Sequence, residues 1–118
     1  MLSWRWDGRF ETGLAEFGSD DQDRVRAILE QYLGVIWDSS NIVTAPDIVR
    51  TINIRLASLR SGQLLFTSDP SPGALLFCAW WPWGDEKTTS IRIAPFYKKL
   101  PDSEYAKKIQ WFKRCCGI

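Results

Sequence analysis

The chain has 118 residues, 45% of them apolar and 25% charged, which fits one soluble globular domain able to bury about two-thirds of its unfolded surface. Fifteen Lys and Arg against fourteen Asp and Glu leave a formal charge of +1, so no global field gathers nucleic acid or an anionic membrane. There is no histidine, which closes Ser-His-Asp and Cys-His catalysis, helical HExxH zinc sites and the imidazole proton shuttle.

The first residues run straight into alternating polar and apolar positions, with no charged start, apolar middle and small-residue cleavage site. Cys78, Cys115 and Cys116 form neither an even disulfide framework nor a paired metal-binding spacing. Both features lead us to expect a cytoplasmic protein, and no apolar run is long enough to suggest a membrane span.

Asp7-Gly8 between alternating runs predicts a β-hairpin with a two-residue turn and strands at about 2–6 and 9–13. Leu2, Trp4 and Trp6 would then share one face, packed on the core. Ser19-Asp20-Asp21-Gln22 reads as a capping box opening a helix over about 20–33, with Val25, Ile28, Leu29 and Tyr32 as its apolar stripe and Gly34 as a left-handed stop. Its acidic first turn could dock a basic partner, but capping and solvation account for it.

Val35-Ile36-Trp37 reads as a short strand or a packed connection. Thr44-Ala45-Pro46-Asp47 signals a second helix over 46–60, carrying Ile48, Ile52, Leu56 and Leu59 and ending near Gly62. Thr51 to Leu56 also alternates as a strand would, and the signals at both ends favour the helix. A three-stranded meander follows over about 63–95, and Leu100-Pro101-Asp102-Ser103 opens a final helix over 102–116 with Tyr105, Ile109, Phe112 and Cys116 as its buried stripe. The expected fold is a single α+β domain over residues 1–118: the hairpin and meander as antiparallel sheet, packed with three helices.

The densest aromatic stretch is Phe77-Cys78-Ala79-Trp80-Trp81-Pro82-Trp83-Gly84-Asp85-Glu86. Leu75, Phe77, Ala79 and Trp81 alternate with Leu76, Cys78 and Trp80, so both faces of this strand are apolar and it belongs at the centre of a covered sheet. Trp81-Pro82-Trp83-Gly84 fits a type I turn. Trp81 is expected in the core, with Trp80 and Trp83 as candidates for exposure. An exposed indole beside carboxylates is a rigid anchor of the kind protein interfaces favour, so Trp80, Trp83, Asp85, Glu86 and Arg92 form the candidate partner-binding surface.

No glycine run cradles phosphate, and no metal or cofactor site is expected. The carboxylate pairs Asp85 with Glu86 and Asp20 with Asp23 lack a diagnostic spacing for acid–base work or magnesium, although a small histidine-free enzyme using such a pair stays open as an alternative. Cys115-Cys116-Gly117-Ile118 is a poor prenylation box. Lys107, Lys108, Trp111, Lys113 and Arg114 interleave charge and ring on the last helix, so nucleic-acid binding is the nearer alternative. The leading expectation is a non-enzymatic protein-binding module, a stoichiometric inhibitor of a partner protein. By size, compartment and lack of catalytic equipment it resembles, in general terms only, bacterial immunity proteins that neutralise a cognate toxin or effector by occluding its active site. No motif carries that likeness, and no functional residue is transferred by it.

Overall fold

A computed structural model describes residues 2–118. The two long strands of the meander form its middle: β5 (Ala74–Pro82) and β6 (Thr88–Tyr97) pair antiparallel along their length. On one side of this hairpin lie β2 (Thr12–Gly18) and β1 (Arg5–Asp7), and on the other β4 (Leu64–Thr67) and β3 (Val35–Trp37). The result is one six-stranded sheet in the order β1-β2-β6-β5-β4-β3, with every pairing antiparallel. The fold is the expected single α+β domain, with three helices: α1 (Ser19–Tyr32), α2 (Asp47–Arg55) and α3 (Asp102–Cys116).

The two-faced pattern of β5 dictates the layering. Phe77 and Ala79 pack with Leu65 under Ile48, Val49 and Ile52 of α2, while Cys78 and Trp80 pack with Phe66 and Ile91 under Val25 and Leu29 of α1. A central strand apolar on both sides is stable only when both sides are covered. α3 adds Phe112 to the α2-side cluster and reaches β6 through Tyr105, whose hydroxyl donates to the Pro95 carbonyl at 3.5 Å. No helix is long and apolar enough to cross a membrane among the described residues.

Several local expectations are corrected. Asp7 is not a turn residue: it pairs with Thr12, leaving a four-residue loop in which Glu11, not a glycine, takes the positive φ of 54°. Its carboxylate accepts the Arg9 backbone N–H at 3.0 Å, which holds Asp7 in the ladder. Trp4 and Trp6 do not share a face, because the regular strand begins only at Arg5; Trp4 joins the α1-side cluster with Leu2, and Trp6 the other.

The capping box at Ser19 does not form: β2 runs directly into α1 through Gly18, which is the N-cap and offers no side chain. Val25 and Leu29 are buried, but Ile28 and Tyr32 are exposed, because α1 meets the sheet along a narrower stripe than expected. Gly34 does not adopt a left-handed conformation. Thr44 closes a single 3-10 turn, Ile42–Thr44, and Pro46 takes the N-cap of α2.

α2 also stops well before Gly62. The Asn53 backbone carbonyl accepts the Ser58 N–H at 2.8 Å and its side-chain oxygen accepts the Leu59 N–H at 2.8 Å, which drives Ala57 and Ser58 into left-handed geometry at φ 68° and 62°. Local hydrogen bonding by Asn competes with helix continuation. Such geometry costs an L-residue about 1–2 kcal/mol, so Ala57→Gly is expected to raise stability by up to about 1 kcal/mol in urea denaturation.

Candidate functional site

The structure divides the predicted surface. Trp80 is 2% exposed, with its ring 5.4 Å from Phe17 and 6.0 Å from Phe66 beneath α1, so it is a core residue and not part of a gripping surface. Its neighbour Trp81, expected in the core, is half-buried instead. The exchange follows from the helices: Trp80 lies under α1, whereas Trp81 packs at the margin of the α2-side cluster.

Trp83 is 45% exposed. The turn that carries it lies two residues beyond the expected one, with the Trp83 carbonyl accepting the Glu86 N–H at 3.3 Å, and Pro82 remains in β5 opposite Thr89. That is possible because β4 stops pairing at Trp80, so β5 has a free edge where the proline falls. Asp85 closes the loop rather than projecting from it. Its Oδ1 accepts the backbone N–H groups of Lys87 at 2.9 Å and Thr88 at 3.0 Å, and its Oδ2 accepts the Thr88 hydroxyl at 3.0 Å. These backbone bonds favour the ionised form and hold the Asp85 carboxyl below its ordinary pKa. Glu86 is exposed at the tip, at a φ of 60°. Trp83, Asp85 and Glu86 therefore sit together, while Arg92 opposes Ala79, three ladder positions from the end of the hairpin.

Arg92 organises a different group. Its Nε donates to Asp7 Oδ2 at 3.0 Å and its Nη1 to Ser90 Oγ at 3.1 Å; the two charged side chains are only 15% and 14% exposed. The guanidinium carbon lies 4.2 Å from the Trp81 ring centre and 5.4 Å from that of Phe10, and these two rings meet edge to face at 5.3 Å. Arg9 stacks on Phe10 at 5.0 Å. Burial would raise the Asp7 carboxyl, but the Arg92 hydrogen bond, the backbone N–H groups of Arg9 and Phe10 and the Arg92 charge outweigh it and hold the group below its ordinary value. The ladder aligns the pair: Arg92 opposes Leu14, Leu14 opposes Arg5, and Asp7 follows two residues later on the same face. Sequence reasoning missed Asp7, Phe10, Arg9 and the openness of Trp81. The one local signal was a lone arginine between Ile91 and Ile93.

The larger concavities lie elsewhere or adjoin this group. An apolar groove of about 530 Å³ runs between Leu2, Trp4 and Ile28. A mixed cleft of about 450 Å³ lies between Glu11, Arg55, Asp102 and Lys113, where acidic and basic groups balance. A smaller pocket of about 250 Å³ opens beside Trp81, Arg92 and Arg60. Neither carboxylate pair lines any of them. Among the described residues no group of three His, Cys, Asp or Glu is placed to hold a metal ion.

On α3, Trp111 is 55% exposed, and Lys107, Lys108 and Arg114 lie one turn from it. Lys113 instead covers Trp6 at 4.5 Å and belongs to the packing. Among known proteins, no family model, no curated protein and no solved structure matches this chain.

Proposed function

We propose that this chain is a small non-catalytic protein-binding module that grips its partner with the β5–β6 hairpin. The observation that carries the reading is Trp83, an indole nearly half exposed on a loop that Asp85 ties down through three hydrogen bonds, two of them from backbone N–H groups. Ordering such a loop in advance removes part of the entropy cost of association, and Trp and Arg are the residues over-represented among binding hot spots. Arg92, Trp81 and Phe10 extend the surface on the face of the hairpin, and Glu86 supplies charge at its rim. In its finer form the reading is a stoichiometric inhibitor, immunity-protein-like, whose Trp83 loop occludes the active site of a toxin or effector. The proposed compartment is the cytoplasm, in keeping with three free cysteines.

Affinity capture from the native host with wild type and Trp83→Ala in parallel tests the reading. The variant is expected to keep its stability within about 0.5 kcal/mol and to bind the captured protein about 30-fold more weakly or worse. Equal capture by both proteins overturns it. Retention of nucleic acid that depends on Trp111 and not on Trp83 replaces it with the second reading, which the exposed ring among the α3 cations favours.

A further inference from the structure

The pocket beside Trp81 has a composition unlike the other concavities. Three arginines, Arg9, Arg60 and Arg92, line it and no carboxylate does. Arg92 spends its Nε on Asp7 and one bond of Nη1 on Ser90, so the ion pair fixes the orientation of the guanidinium without using all its donors. Arg9 and Arg60 make no ion pair among the described residues, although most other arginines do. The backbone of Arg60 is itself held: its N–H donates to Gln63 Oε1 at 2.9 Å and its carbonyl accepts the Gln63 N–H at 3.0 Å.

The rings of Phe10 and Trp81 line the same pocket, and its rim carries Ala57 and Ser58 in left-handed geometry. Arg9 and Arg60, which have no counter-charge, draw an anion, the one guanidinium held in place, that of Arg92, keeps donors for the oxygens of carboxylate or phosphate, and aromatic walls favour a flat group. The pocket, of about 250 Å³ and open to solvent on one side, has room for one ring with one anionic group.

From this we infer that the pocket bounded by Arg9, Arg60, Arg92, Phe10 and Trp81 is a binding site for a small planar anion, an aromatic ring bearing a phosphate or carboxylate. It adjoins the proposed protein-binding surface through Trp81 and Arg92 and does not depend on it, because its chemistry is complete within this chain.

Phenyl phosphate is the probe, titrated into the whole protein while backbone amides and the Arg92 Nε–H are followed by NMR. Inorganic phosphate tests the need for a ring, and benzyl alcohol the need for a charge. The expected result is a saturable shift at Ala57, Ser58 and Arg92, with each control binding about tenfold more weakly or worse. Arg9→Gln and Arg60→Gln, at exposed positions, are each expected to weaken phenyl phosphate about tenfold while the melting temperature holds. No shift at those residues overturns the inference, as do controls that bind as well as phenyl phosphate or an Arg9→Gln/Arg60→Gln double variant that binds as well as wild type. The comparison of the three probes on wild-type protein decides the matter without any variant. Trp83→Ala should leave probe binding intact, so a failed capture and a failed titration are separate results.

Discussion

Replacing Trp80 with alanine is expected to cost about 3–5 kcal/mol of folding stability and to lower the melting midpoint by roughly 10–20 °C. The indole is 2% exposed and wedged between Phe17 and Phe66, directly opposite Leu64 on β4 and Ile91 on β6. Those flanking residues are fixed by ladders on both sides of β5, and α1 lies above them, so the walls of the vacated space cannot readily collapse. A cavity that cannot collapse adds its own cost to the lost transfer energy of the ring. Urea denaturation of Trp80→Ala beside Trp83→Ala gives the contrast, since a large loss in the first and almost none in the second separates core ring from surface ring three residues apart. A loss below about 1 kcal/mol at Trp80 would show that the site relaxes around the gap.

Much of this architecture is visible along the chain wherever one local rule acts alone. α3 opens after Pro101 and ends at Cys116 with Gly117 in left-handed geometry, and of its expected buried stripe Phe112 is buried while Tyr105, Ile109 and Cys116 are half-buried. The double apolar pattern of β5 called for cover on both faces, and α1 and α2 provide it. Readings failed where a local rule met a tertiary one. Alternation sorts Trp80 and Trp81 onto opposite faces but cannot tell which face is left open at that point. Trp81 is half open because it stands beside the place where α2 ends, and that end is set by Asn53, Ala57 and Ser58. The arginine and aromatic group was hidden for another reason. Asp7 and Arg92 are 85 residues apart and meet only once β2 lies between their strands, so no window of sequence contains both.

That long-range pair should also be the most damaging polar site to break. Asp7→Ala is expected to cost about 3 kcal/mol, because it leaves the Arg92 guanidinium 15% exposed without its carboxylate and removes the acceptor that holds the Arg9 N–H. Stacking on Trp81 and Phe10 cannot replace a counter-charge, although it keeps the guanidinium in place and so maintains the desolvation cost. The double variant Asp7→Ala/Arg92→Met should recover a large part of the loss, since a paired charge replaced by apolar groups of similar volume is often near neutral. Asp7→Asn isolates the charge and makes pH the readout. The folded-state pKa of Asp7 lies below its unfolded value, so the unfolded chain takes up the proton first as pH falls. The carboxylate therefore contributes its full stability above the unfolded pKa of about 4 and loses it as pH drops through the folded value. Urea midpoints for wild type and Asp7→Asn should accordingly differ by a constant amount between about pH 5 and 8 and converge below about pH 4. A gap that persists unchanged into acid would mean that Asp7 acts through its shape and hydrogen bonds, and not through its charge on Arg92.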